Sequence, residues 1–119
     1  RDESNGICCV FEGFTDYLSF LTMNVANLSA NYVVLNSVAL LDKAMHYIAQ
    51  HKKLLLFMDN DAAGRNASSK LQSQLEKCAI VDITGVYMSL FKDVNDYLNT
   101  VGMFPTKTLQ HIINKELKQ

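Results

Sequence analysis

Four short apolar runs, separated by helix-like stretches, constrain this chain more than any other feature. Gly6–Phe11 reads Gly-Ile-Cys-Cys-Val-Phe, Tyr32–Leu35 reads Tyr-Val-Val-Leu, Leu54–Met58 reads Leu-Leu-Leu-Phe-Met, and Ala79–Tyr87 holds the fourth. The first three are compact and rich in strand formers, the pattern of strands buried on both faces of a parallel sheet. In the fourth, Ile80, Asp82 and Thr84 alternate with Val81 and Ile83. Stripes at helical spacing lie between the runs. Tyr17, Leu18, Phe20 and Leu21 follow the first, with Thr15 as a candidate N-cap. Leu41, Ala44, Met45 and Ile48 follow the second, with Ser37 as a candidate cap. His51-Lys52-Lys53 stands at the end of that helix, where cations suit the dipole. A helix from about Ala62 to Leu75, striped by Ala63, Ala67, Leu71 and Leu75, follows the third. A short helix over Asp93–Asn99 and a last one from Pro105 through Leu109, Ile112, Ile113 and Leu117 complete the chain. This order predicts an α/β fold: a Rossmann-like, open, mostly parallel four-stranded sheet with helices on both faces.

Composition narrows the function classes. A length of 119 residues suits one domain, and a hydrophobic share of 49% with 19% charged excludes a disordered chain. No apolar run approaches the roughly 18 residues of a membrane helix, so the expectation is a soluble, cytoplasmic domain with no membrane partner. The formal net charge of −1 argues against a basic nucleic-acid clamp. Any cationic surface is local or lies in another part of the protein. Cys8, Cys9 and Cys78 lack the spacing of a zinc site or a disulfide framework and read as small buried residues. The chain opens at Arg1 with neither methionine nor signal peptide, which predicts a single domain over 1–119, cut from a longer protein.

The carboxylates collect where such a sheet binds ligands, at the carboxyl ends of its strands. Glu12 ends the first strand, Asp59 and Asp61 end the third, and Asp93 and Asp96 follow the fourth. Two residues apart in extended backbone, Asp59 and Asp61 point to one side, where they repel unless a cation lies between them. Mg²⁺ suits such oxygen ligands, and the absence of histidine from the cluster disfavours zinc. Plain structural roles are open as well. Asp61 fits the N-cap of the helix that begins at Ala62. Asp93 fits the cap of the next helix, with Asp96 in the box position, and Asp16 suits a first helical turn. Glu12 and Asp59 have no capping role to explain them. Gly64 in a first helical turn costs helix stability but permits a close approach of backbone or ligand. Arg65 could reach a phosphate or be a surface arginine, and Lys92 could hold a phosphate or balance the acids.

Glu12-Gly13-Phe14-Thr15-Asp16, then Asp59-Asn60-Asp61-Ala62-Ala63-Gly64-Arg65, then Lys92-Asp93-Val94-Asn95-Asp96 resemble the three signature blocks of the Toprim domain. That domain is shared by bacterial primases, type IA and II topoisomerases, OLD-family nucleases and recombination-repair proteins. Ala62-Ala63-Gly64-Arg65 after the paired aspartates is similar to primases rather than topoisomerases. The last block looks closest to phage primase–helicases and primase-like proteins of mobile elements, including those of conjugation. Cellular primases more often carry an aspartate where Asn95 stands, which puts one metal ligand in question.

The resemblance implies nucleotidyl transfer in RNA primer synthesis on single-stranded DNA, from nucleoside triphosphates. It implies Glu12 as the acid/base residue or a metal ligand near the reacting phosphate, Asp59 and Asp61 as ligands to Mg²⁺ or Mn²⁺, and Asp93 and Asp96 as metal-site residues that support a second metal or position the first. It implies supporting or phosphate-binding roles for Gly13, Asp16, Gly64, Arg65, Lys92 and Asn95, and helicase or mobilisation proteins as partners. No zinc is expected in this stretch. With no zinc-binding or basic subdomain beside it, the 119 residues alone should grip a template poorly. Three other readings compete. A Toprim nuclease would use the same metals, a non-catalytic Toprim module would bind DNA or a partner, and a receiver-like domain would also cluster aspartates at strand ends. The Glu12-Gly13 and Gly64-Arg65 pairs do not fit the last.

Overall fold

The computed structural model describes residues 6–23, 28–101 and 105–118. Four parallel strands form one sheet in the order β2-β1-β3-β4: β1 (Ile7–Phe11), β2 (Asn31–Val34), β3 (Lys53–Phe57) and β4 (Ala79–Asp82). The helices are α1 (Phe14–Thr22), α2 (Leu41–Ile48), α3 (Ala62–Gln74), α4 (Ile83–Tyr87), α5 (Val94–Val101) and α6 (Pro105–Leu117). Among the described residues, no helix is long and apolar enough to cross a membrane.

The alternation of side chains along β1 and β3 divides the interior into two layers. Cys8, Val10, Leu54, Leu56 and Met58 point to one face and pack with Leu41 and Ile48 of α2 and Ala67 and Leu71 of α3. Cys9, Phe11, Leu55 and Phe57 point to the other and pack with Phe20 of α1, Val94 and Tyr97 of α5, and Leu109 and Ile113 of α6. The rings of Phe11 and Phe57 stack at 4.7 Å across the pair of central strands. Helices therefore cover both faces, as the alternation of elements predicts. No disulfide joins the three cysteines, and burial pushes the Cys9 thiol pKa up, away from reactivity.

Several elements depart from the sequence reading. The fourth strand stops at Asp82 rather than Tyr87, because the Asp82 carboxylate accepts the Gly85 N–H at 3.0 Å and starts α4. The N-cap of α1 is Gly13, not Thr15. Ser37 caps a single 3-10 turn (Val38–Leu40) through the Ala39 N–H, and α2 starts after it without a side-chain cap. Leu18 and Leu21 of α1 are exposed, and Asp16, Ser19 and Phe20 form its buried face. On α3, Ala63 is exposed and Gly64, Ala67, Ser68 and Leu71 are buried. In both helices small or polar residues that make specific bonds displace apolar ones from the buried side.

Candidate functional site

The register fixes where the acids meet. Phe11 pairs with Phe57, so the next residues along, Glu12 on β1 and Met58-Asp59 on β3, leave the sheet side by side. β2 lies on one side of β1 and β3 on the other, so the chain reverses its direction of winding between the two central strands. That crevice is where open α/β sheets bind ligands. Glu12, Asp59 and Asp61 form one group in which an oxygen from each lies within 4.8 Å of the others. Asp16, Asp59 and Asp93 form a second by the same measure, and Asp59 belongs to both.

Two of the acids are held by local helix-capping bonds and two by bonds from across the fold. Asp61 caps α3, accepting the Gly64 N–H at 2.8 Å. Asp93 accepts the Asp96 N–H at 2.8 Å and so caps α5. Asp16 accepts the Asn95 N–H at 3.1 Å, and Glu12 accepts the Asp59 N–H at 3.3 Å. For Asp61, Asp93 and Asp16, a capping or helix-start role and membership of the cluster coexist, because a carboxylate has lone pairs for both.

Asp59 differs. Its Oδ1 is buried and has no hydrogen-bond partner among the described residues. A buried carboxylate oxygen without a donor, flanked by other acids, is costly unless a cation meets it. This orphaned atom, with an all-oxygen donor set around it, fits a hard divalent cation. Burial, reinforced by the charges of Asp93 and Asp61, raises the Asp59 pKa. Burial and then the Asp59 charge raise that of Glu12. Burial pushes Asp16 up to about 7, against the opposing Asn95 N–H and with help from Asp93 and Asp59. Lys92, exposed at the rim, pulls Glu12 and Asp59 back down.

The Asp16 shift has a testable sign. Its carboxyl titrates near 4 when unfolded and at about 7 when folded. Between those values the folded state binds more protons, so this group's contribution to stability falls as pH rises through the window. In EDTA, the wild-type melting temperature should fall by a few degrees from pH 5 to pH 8, and Asp16→Asn should flatten that slope. An unchanged slope in Asp16→Asn would contradict the assignment.

Four residues from the signature blocks sit otherwise than the sequence suggested. Asp96 joins neither acidic group. Its Oδ2 accepts the Lys92 N–H at 3.0 Å, and its Oδ1 meets Thr100. Asp16, read as supporting, takes a place among the clustered acids instead. The Asn95 side chain turns to Ser19, accepting its hydroxyl at 2.9 Å, and ties α5 to α1. Arg65 does not extend to solvent. It pairs with Asp82, donates to the carbonyls of Met58 (3.2 Å) and Asp59 (3.3 Å), and reaches Thr84. A guanidinium engaged this way holds the acidic loop from behind.

Gly64 explains itself. A Cβ there would lie 2.8 Å from the Asp59 carbonyl carbon and 2.9 Å from its nitrogen, so only glycine lets α3 start so close to the acidic strand end. Gly13 is less confined, its virtual Cβ lying 3.4 Å from Asp16 Oδ2. Sequence reasoning missed Asp82, Gly85 and Asn60. A Cβ on Gly85 would overlap Arg65 and Asp82, so the pair needs that glycine. An aspartate before Ile-Thr-Gly is a capping signal, but it was masked by the strand-like alternation around it. Asn60 carries no sequence signal at all.

The model of a family described as Toprim-like matches residues 9–98. No curated protein matches the chain. Among solved structures, the primase fragment of the bacteriophage T7 primase-helicase protein is similar, with a TM-score of 0.60 at 21% identity. The match covers 88% of this chain and 43% of that fragment, so this chain spans less than half its length. That likeness concerns the fold. With the family match running from β1 through most of α5, and so across every acid of the cluster, the chain belongs to the Toprim-like family.

Proposed function

We propose that this chain is the metal-dependent catalytic domain of a primase-like protein, transferring nucleotides in RNA primer synthesis on single-stranded DNA. The observation that carries the reading is the buried, donorless Oδ1 of Asp59 at the meeting point of two carboxylate groups. Asp59 and Asp61 hold Mg²⁺, with Mn²⁺ as a substitute, and Asp16 and Asp93 extend the site on the other side of Asp59. A bound divalent cation supplies charge neutralisation at the phosphates of the incoming nucleoside triphosphate. Glu12, whose pKa is raised, accepts the proton of the attacking hydroxyl as general base. Its Oε1 stays oriented by the Asp59 N–H. Lys92, exposed beside the acids, orients phosphate. Arg65 and Gly64 keep the loop of Asp59 in place.

The domain, residues 1–119, works in this reading as one part of a cytoplasmic, replication- or transfer-associated protein that acts with helicase or mobilisation partners. The net charge of −1 supports a reading in which the main grip on the template lies outside these residues. The test is synthesis of short RNA by the protein that carries this domain, from ribonucleoside triphosphates on single-stranded DNA with Mg²⁺. Wild type should make primers, and Glu12→Gln should lower the rate about 100-fold or more, the range for loss of a general base. Cleavage of the DNA in place of synthesis would reassign the site to a nuclease. Neither activity would leave a non-catalytic binding module.

A further inference from the structure

Asn60 stands between the two aspartates of the third strand end, and its amide does unusual work. Its Nδ2 faces three backbone carbonyl oxygens: Thr84 at 3.1 Å, Met88 at 2.9 Å and Phe91 at 2.7 Å. Its own N–H donates to the carbonyl of Lys92 at 2.6 Å. One residue thus gives a further donor to the Thr84 and Met88 carbonyls, which already accept the Met88 and Phe91 N–H groups, and binds the Phe91 and Lys92 carbonyls on the segment that leads to Asp93. Three acceptors around one group settle which end of the amide is nitrogen. The segment after Met88 is otherwise fastened by the Phe91 N–H to Met88 O bond and by Asp96 to the Lys92 N–H. Asn60 is also next to Asp59 in the chain, so any displacement of the Lys92-Asp93 segment relative to Asp59 must break its bonds.

We propose that Asn60 is a positioning residue that sets Asp93 against Asp59 and thereby forms the second carboxylate group, Asp16–Asp59–Asp93, while leaving the first, Glu12–Asp59–Asp61, to other supports. The first group has its own fastenings: Asp61 on the Gly64 N–H, and the Asp59 carbonyl on Arg65. The cation-binding part of this inference rests on the functional reading above. The positional part does not.

Two measurements on Asn60→Ala test it. The first needs no metal. Amide hydrogen exchange should speed up at Asp96 and Asn95, whose N–H groups report on Asp93 and Asp16, and stay unchanged at Gly64, which reports on Asp61. Equal acceleration at all three amides, or none, would overturn the positional role. The second is a double-mutant cycle on Mn²⁺ affinity with Asp93→Asn. Asn60→Ala should weaken binding about 10- to 100-fold, the usual effect of losing an outer-shell partner, and should add little once Asp93→Asn is present. Additive losses would show that Asn60 does not act through Asp93 and would overturn the proposal. A wild type that binds no Mn²⁺ would overturn both the metal reading and the cation part of this inference. The exchange result would still decide whether Asn60 holds the Asp93 segment.

Discussion

Gly64→Ala should cost this domain about 3 kcal/mol or more and lower its melting temperature by roughly 10 °C or more. Helix propensity alone predicts the opposite, since alanine in place of glycine favours a helix by about 1 kcal/mol. The steric effect wins because the neighbour is backbone. The new Cβ would lie 2.8 Å from the Asp59 carbonyl carbon and 2.9 Å from its nitrogen, and a main chain cannot rotate away as a flexible side chain can. Relief requires α3 to retreat from β3. That retreat breaks the Gly64 N–H to Asp61 cap and the Arg65 bond to the Asp59 carbonyl, so stability and the acidic site fail together. Ala63→Gly is the control. Ala63 is exposed on the same helical turn, and its replacement should cost only about 1 kcal/mol. A Gly64→Ala variant as stable as wild type would contradict the packing described here.

Asp59→Asn should separate stability from function. Without metal, the ionised carboxylate of half-buried Asp59 stands beside Asp93 and Asp61 with its Oδ1 out of solvent, and burial and those charges raise its pKa. A raised carboxyl loses its stabilising preference for the proton as pH climbs through the folded value, so above that value its charge burdens the folded state. Asparagine removes the charge and keeps the shape. In EDTA at pH 8 the variant should melt a few degrees above wild type, the signature of a site kept under strain for use. With Mg²⁺ at millimolar concentration the order should reverse, because only wild type gains from ligand binding by mass action. If Asp59→Asn melts below wild type in EDTA, the electrostatic account of this residue fails.

The sequence announced the sheet because strands buried on both faces leave apolar runs that few other structures need, as at Leu54–Met58. It announced Glu12, Asp59 and Asp61 because those acids interrupt strand ends where local capping explains little or only part. What it hid has a common cause. Asp82 and Gly85 act through a partner 17 or more residues away, Arg65, which no local pattern reports. Asn60 serves carbonyls 24 to 31 residues further on. Asp16 and Asp96 exchanged standing because the choice depends on how α1 packs against α5, where Asp16 and Ser19 bond Asn95 and draw the α1 side chains inward. Spacing placed both on suitable helices. Only the packing of the helices decided which one reached Asp59.

The central claim is that the carboxylates gathered around Asp59 bind a divalent cation. The direct measurement is a Mn²⁺ and Mg²⁺ titration of the protein, followed by calorimetry and by paramagnetic broadening, with Asp59→Asn/Asp61→Asn in parallel. The account predicts saturable binding by wild type that the double variant loses. No saturable binding by wild type, or equal binding by the double variant, would contradict it.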